Sequence, residues 1–484
     1  MESRLEQLVS TARAAGVRLT RFVWCDNAGL IRAKAVSRAA LASALRSGVG
    51  LSVAQQALPM MQDAVVAETG LSPVGEVRLV PDLDTFRVLP YAPGHALVLG
   101  DMQNLDGTPW EHCPRSLARR QVERLARLGL QLMAAFESEF YLFRDRTSDG
   151  ERTPAGKPPG PGAEPVEEGH RSPGGHSFLQ HATVEPVDET VFAQTRAFDA
   201  SLPFINELFD ALEAQGLIVQ QYYPESGPGQ HELSVSPAEG VAAADHQLLV
   251  RQTVHGVAAR HGLRATFAPK PFPNFAGSGC HLHLSLWREG RNAFYSPEDP
   301  LRLSPLAYRF IGGLLHHLPA LMALTTPSVN SYRRLQPGMW AGAYLCFGPD
   351  NREAPVRVAS GFRGREADSI NVELKTVDGT ANPYVALAAV LAAGLDGLER
   401  GLDPGEPLAV NPSALSEAER AARGLRRLPS SLAEALRALE EDSILRAALG
   451  ETYLKAFVAV RRAELAAFAE RPAHEEAALH RVRY

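Results

Sequence analysis

The stretch Gly277 to Leu286, GSGCHLHLSL, sets His281, His283 and Ser285 in strict alternation with Leu282, Leu284 and Leu286. A period of two belongs to a β-strand, with the leucines on one face and the imidazoles and hydroxyl on the other. Three more segments repeat the pattern. In AAFESEFYLF, Glu137 and Glu139 are two residues apart and face the same way. In ESGPGQHELSV, Gln230, Glu232 and Ser234 lie opposite His231, Leu233 and Val235, with Glu225 just upstream. In SINVELKTVDGT, Glu373 and Lys375 alternate with Val372 and Leu374. The chain must therefore build a sheet that buries one face and presents acidic and imidazole groups on the other. A solvated sheet edge carries the same alternation, so each strand taken singly leaves both uses open. The Gly-Ser-Gly before the first segment reads as a flexible entry to its strand.

If the polar faces converge, Glu137, Glu139, Glu225, Glu232 and Glu373 share one cavity with His281. Five carboxylates at short range cannot all stay ionised unless cations offset them. Oxygen-rich sites with a single imidazole suit hard divalent ions, Mg²⁺ or Mn²⁺, rather than zinc or copper. Downstream, SYRRLQPGMWAGAYLCFGPDNREAPVRV supplies Arg333, Arg334, Arg352 and Arg357. Guanidinium forks grip phosphate and carboxylate oxygens in bidentate fashion. With no GxxxxGK[ST] loop in the chain, this set suggests a nucleotide whose phosphates are held by metal ions and arginines.

The 484 residues allow two domains. A helix-like start, a hairpin from about Arg21 to Val36 around Asp26-Asn-Ala-Gly, and strands in EVRLVPDLDTFRVLP and HALVLGDM make residues 1–106 a small β-rich unit. A helix opening at Pro114 begins a larger α+β domain, 107–484, which holds every motif above. Residues 145–177, rich in Gly, Pro and charge, read as a flexible insertion. A net charge of −6 gives no case for nucleic-acid binding. Four scattered cysteines without a CxxC pair suit a reducing compartment. The start has no apolar secretory core, and YVALAAVLAAGL is too short to span a bilayer. A cytoplasmic protein is the expectation.

FESEFYLF, ESGPGQHEL, GSGCHLHLSL, NSYRRLQPG, DNREAPVRV and ELKTVDGTANPYVALAAVLAAGLDGL occur in one order that resembles the glutamine synthetases and their γ-glutamyl–amine ligase relatives. The resemblance implies a small N-terminal β-grasp domain before a catalytic domain whose curved antiparallel strands form a funnel. It implies that Glu139, Glu225 and Glu232 hold one divalent metal and that Glu137, His281 and Glu373 hold another. It puts His283 and Ser285 by the ATP, Arg352 and Arg357 on its phosphates, and Arg334, Lys375 and Gly277 on the acid substrate. Asp26 matches an amine-side aspartate that reaches into a neighbouring subunit, which implies stacked rings, commonly a dodecamer. The implied chemistry is ATP-driven conversion of glutamate to γ-glutamyl phosphate, followed by attack of a nitrogen nucleophile.

Three positions depart from the family pattern. Where ammonia-using members carry a flap glutamate, this chain has Trp340, which can pack an alkyl chain or hold an alkylammonium through its π face. Ala276 replaces an asparagine, and Lys375 an arginine, both on the acid side. The amine-ligase relatives, acting on polyamines, ethanolamine or other organic amines, resemble this pattern more closely. The expected function is a carboxylate–amine ligase forming a γ-glutamyl amide. The alternatives are glutamine synthetase itself and a non-catalytic ring scaffold or sensor, against which the presence of all six metal-ligand residues argues. The adenylylation-loop tyrosine of some bacterial members has no clear counterpart in DPGEPLAVNPSALSE.

Overall fold

The computed structural model describes residues 2–146 and 183–484. The insertion expected at 145–177 lies outside the described residues from position 147 onward.

Six strands build the N-terminal sheet: β1 (Leu19–Cys25), β2 (Ile31–Ser37), β3 (Val49–Ser52), β4 (Glu76–Pro81), β5 (Arg87–Val88) and β6 (His95–Gln103). Their order is β2-β1-β6-β4-β3, with β5 on β6. β1 and β6 run parallel while the other pairs are antiparallel, the mixed pattern of a β-grasp unit. The expected hairpin is β1–β2, which pairs from Leu19↔Ser37 to Cys25↔Ile31 around the Asp26–Leu30 turn. Alternation gives β1 two buried faces. Phe22 and Trp24 join the domain's own core, and Val23 and Cys25 join the core of the larger domain.

The catalytic sheet has eleven strands: β7 (Gln131–Arg146), β8 (Thr183–Pro186), β9 (Val219–Pro224), β10 (Gln230–Val235), β11 (Ala238–Glu239), β12 (Arg264–Thr266), β13 (Cys280–Arg288), β14 (Arg291–Asn292), β15 (Phe347–Pro349), β16 (Val356–Ala359) and β17 (Asn371–Leu374). The main path is β15-β16-β17-β13-β7-β10-β9. Every neighbour on it is antiparallel except β15–β16. β7 is the keystone, since β13 and β10 pair on its two sides. Behind this sheet lies the largest core, lined by Leu132, Phe136 and Phe140 of β7 and by Leu282, Leu284 and Leu286 of β13.

The apolar run expected to be too short for a bilayer is the helix Pro383–Arg400, buried all round and capped by Asn382. It crosses the helix Pro305–Thr325 through glycine. A Cβ on Gly397 would lie 2.7 Å from the Gly313 Cα, so neither position has room for a side chain. No helix among the described residues is long and apolar enough to cross a membrane.

A buried ion cluster welds the domains. Arg115, in the first turn of the helix Pro114–Arg127, donates to Asp245 at 3.0 and 2.9 Å, to Asp82 at 2.7 Å and to Asp101 at 3.1 Å. Asp82 and Asp101 belong to the N-terminal unit and Asp245 to the helix Ala242–Arg260, where the Tyr384 hydroxyl also donates to it. Removing one partner of a buried cluster strands the charges that remain, at a cost of about 3–5 kcal/mol. Arg115→Ala is expected to lose that much in a urea unfolding titration. A loss below about 1 kcal/mol would show that apolar packing alone joins the domains.

Candidate active site

The four polar faces read from the sequence lie side by side on one face of the catalytic sheet, and β16 adds a fifth. Register does this directly. His281 pairs with Glu137, His283 with Glu373, Glu232 with Glu139 and Arg357 with Glu373. Paired residues of neighbouring strands share a face, so one band runs from Arg357 through Glu373, His283, His281, Glu137, Glu139 and Glu232 to Tyr223. His231 is on the opposite face, packed between Phe140 and Tyr222, where burial pushes its imidazole down to about 4.

Ligand atoms of Glu137, His281 and Glu373 all lie within 4.8 Å of one another. The His281 Nδ1 is 3.4 Å from Glu137 Oε2 and 3.3 Å from Glu373 Oε1, and its Nε2 is 3.6 Å from Glu139 Oε1. Glu373 is further met by Lys375 at 3.3 Å and by the Arg357 guanidinium. Burial raises the Glu373 carboxyl, but Lys375 and the imidazoles outweigh it and hold the group below its ordinary range. Burial likewise works against Glu137, and contacts from His281 and His283 outweigh it.

On the other half of the band burial outweighs the compensation that Arg334 and Lys375 supply. Burial, with the Glu225 charge added, pushes Glu139 up to about 7. Glu232 is raised by burial and by Glu137 and Glu139, and Glu225 is raised chiefly by burial. Tyr223 donates to Glu232, and Gln230 donates to Glu139 at 3.1 Å. Neutral donors orient these carboxylates without cancelling their charge. Glu137, His281 and Glu373 are gathered closely enough to hold one divalent ion. Among the described residues Glu139, Glu225 and Glu232 are not drawn into a comparable trio, and Glu225, just after β9, accepts from the N–H and hydroxyl of Ser226.

The remaining expected residues are placed as follows. Arg334 is buried, and its guanidinium donates to the carbonyls of Lys375 (3.1 Å) and Val377 (2.9 Å), while its Nε has no partner. His283 contacts Asn371 Oδ1 at 2.9 Å and Glu137 at 3.4 Å. Ser285 shares their face and accepts from the Trp287 indole at 2.9 Å. The Ala276 carbonyl accepts from the Tyr141 hydroxyl at 2.7 Å. Arg352 is exposed. Trp340 is 64 % exposed, with φ +57° and its N–H donated to Glu353 at 2.9 Å.

Two sequence expectations need correction. The Gly-Ser-Gly is not a flexible entry: Ser278 is fully buried, and both glycines sit where a Cβ would collide. At Gly277 it would lie 2.4 Å from the Arg334 Cγ, and at Gly279 2.4 Å from the His281 Nε2. The second correction concerns Asp26. Its side chain has no exposed surface, Leu30 N–H and Arg32 donate to its two oxygens, and the Asp26 carbonyl is held by Asn382. Burial raises its carboxyl and Arg32 opposes the rise. A carboxylate sealed inside its own chain cannot reach a neighbour's funnel in this conformation. Sequence reasoning missed the orienting roles of Gln230, Tyr223 and Asn371, and it missed Glu353, although all four stand in or beside the motifs.

With this geometry in view, residues 4–110 match the profile of the glutamine synthetase N-terminal domain, and residues 111–480 match that of the glutamine synthetase catalytic domain. The chain belongs to the glutamine synthetase family, ATP-dependent ligases that form carbon–nitrogen bonds with the help of divalent metal ions. It is 39 % identical to a γ-glutamylpolyamine synthetase of Streptomyces coelicolor, over 93 % of this chain and 90 % of that one. It is 34 % identical to a glutamine synthetase of Mycobacterium tuberculosis, over 96 % of each. Among solved structures, a glutamine synthase homologue superposes with a TM-score of 0.80 at 34 % identity, covering 97 % of this chain and 99 % of that one. A GmaS–ADP complex superposes with a TM-score of 0.78 at 30 % identity, covering 97 % and 98 %.

The raised carboxyls make a prediction. With Glu139 near 7, the site is part-protonated at neutral pH, and a dication would drive those protons off. Mg²⁺ or Mn²⁺ titrations followed by calorimetry in buffers of different ionisation enthalpy should show proton release at pH 7. Affinity should fall as pH drops from about 8 to 6. An affinity independent of pH across that window would contradict the shared carboxylate floor.

Proposed function

We propose that this chain joins the γ-carboxylate of glutamate to an organic amine, using ATP and passing through γ-glutamyl phosphate. The observation that carries the amine half is Trp340, an exposed indole where ammonia-using members place a flap glutamate. A flap carboxylate can pair with ammonium and accept its proton, and indole offers neither. It supplies instead a wide apolar face and a quadrupole that attracts alkylammonium groups. The polyamine-ligating relative at 39 % identity supports the same reading.

The chemistry follows from the groups on the sheet. A carboxylate resists attack because its leaving group would be oxide. Transfer of the terminal phosphoryl group of ATP makes phosphate the leaving group, and the amine nitrogen then forms the amide bond. Arg334, fixed by two carbonyls, has guanidinium donors in place to orient the acid's own carboxylate. Arg352 and Arg357 supply positive charge for the phosphates. His283 and Ser285, on the same face as the carboxylates, stand on the nucleotide side. Glu139, Glu225 and Glu232 would hold one divalent ion and Glu137, His281 and Glu373 another. Bound there, Mg²⁺ or Mn²⁺ would neutralise charge on the phosphates. The amine must arrive without its extra proton, and Asp26 is not its base in this arrangement, being sealed against Arg32. Assembly into stacked rings is part of the proposal.

Relatives named glutamine synthetases, at 34 % identity and above, favour a second reading in which ammonia is the nitrogen source. The two separate in one experiment. ADP release is measured with glutamate and ATP plus ammonium, or plus a panel of mono-, di- and polyamines at equal millimolar concentration. An organic amine is expected to outpace ammonium, and Trp340→Ala to raise its KM about 2- to 30-fold, the range of a cation–π contact. Turnover with ammonium alone would defeat the proposal.

A further inference from the structure

Trp340 does not hold its own place. A bulky residue at φ +57° is in a region that L side chains avoid, so neighbouring contacts must impose the conformation. The flap is pinned on both sides of it. Gly338 donates its N–H to Ser413 Oγ at 3.0 Å. Gly342, at φ +75°, passes so close to Pro355 that a Cβ would lie 2.6 Å from the Pro355 Cα. The contact at Trp340 itself is its N–H donated to Glu353 Oε1 at 2.9 Å.

Glu353 is an unusual group to find there. It is 5 % exposed, its second oxygen Oε2 is buried without a partner, and no ion pair is formed to it among the described residues. An unpaired buried carboxylate oxygen is costly, and an apolar residue would pack there without that penalty. The loop that carries Glu353 is itself fixed: its N–H is donated to Asn351 Oδ1 at 3.1 Å, and the Asn351 amide donates to the carbonyls of Leu408 and Val410. A rigid loop thus offers one acceptor to one backbone donor, in the residue next to Arg352.

We propose that Glu353 is the positioning residue of the amine subsite. Its carboxylate fixes the Trp340 backbone in the left-handed conformation and so sets which way the indole is presented to an incoming organic amine. The proposal rests on the reading of Trp340 as the amine-side residue. Glu353 acts through Trp340 and need not touch substrate.

The test compares wild type, Glu353→Ala, Glu353→Gln, Trp340→Ala and the Glu353→Ala/Trp340→Ala double variant. KM and kcat are measured for ATP, glutamate and the best amine of the panel. Glu353→Ala is expected to raise the amine KM by most of the factor that Trp340→Ala does, with ATP and glutamate KM values within about two-fold of wild type. Glu353→Gln, whose amide oxygen can accept the same N–H, should restore the wild-type amine KM. The double variant should be no worse than Trp340→Ala, because a residue acting through another shows non-additivity. Equal amine KM in Glu353→Ala and wild type would overturn the proposal. So would additive effects, or a rise in all three KM values together.

Acrylamide quenching of the Trp340 fluorescence, taken as the difference from a Trp340→Phe control, gives a readout that needs no turnover. It should change in Glu353→Ala and not in Glu353→Gln. If only ammonium supports catalysis, the amine reading fails, while the quenching result still decides whether Glu353 holds the flap. Should Glu353→Ala be insoluble, Glu353→Gln alone remains decisive, since an altered amine KM with unaltered quenching would overturn the positioning role.

Discussion

Four carboxylates on one face of one sheet, with Glu225 on the loop beside them, are the constraint around which the larger domain is organised. Left alone they repel, and burial, with that repulsion added, raises the carboxyls of Glu139, Glu225 and Glu232. Compensation is uneven. Lys375, Arg357 and the imidazoles gather on Glu373 and Glu137, while on Glu139, Glu225 and Glu232 burial outweighs the more distant charges of Arg334 and Lys375 and the donors from Tyr223, Gln230 and Ser226. The leucine and phenylalanine faces behind the same strands bury enough apolar surface to keep the charged face in register. A shift of one residue in β7 or β13 would turn the ligands into the core.

Much of this was legible in the chain because period two survives any tertiary arrangement. The alternation in HLHLS, ESE and QHELS named the residues of the face correctly, and the hairpin around Asp26-Asn-Ala-Gly is where its turn residues put it. What alternation cannot carry is strand order. Glu139 and Glu232 are neighbours only because β10 pairs with β7, a contact between segments about ninety residues apart. The sequence also cannot say why a glycine is there. Gly277 and Gly279 read as freedom and are in fact close approaches, one to Arg334 and one to His281.

Asp26 shows the same limit from the other side. Its motif is recognisable, but burial is a property of what packs on the turn. Here Thr380 crowds Gly29, Asn382 holds the Asp26 carbonyl and the Tyr484 hydroxyl donates to the Ala28 carbonyl, so the turn is clamped by its own chain. Arg32 then neutralises the carboxylate from within. The orienting role of Gln230 was hidden for a related reason. An amide between two glutamates reads as one more polar residue until its bonds to Glu139 and to the Gly277 carbonyl are seen.

In the proposed ligase, the choice of amine turns on a difference of magnitudes. Ammonium and an alkylammonium carry the same charge, so a cation–π contact with Trp340 of about 0.5–2 kcal/mol favours both to a comparable degree. The alkyl chain is what separates them. Each methylene taken out of water against an apolar face contributes about 0.8 kcal/mol, so three or four outweigh the electrostatic contact altogether. An exposed indole held rigidly can collect that contribution; a freely swinging one loses part of it to the entropy of being ordered at each binding event. A flap carboxylate, by contrast, would favour the small, strongly hydrated cation, which gains nothing from the apolar face of an indole. In this chain the carboxylate nearest the flap, Glu353, is turned to the backbone instead of to solvent, and the position that faces solvent is aromatic. On the proposed amine-ligase reading, selection by chain length, with charge common to all candidates, is the behaviour expected of this exchange of positions.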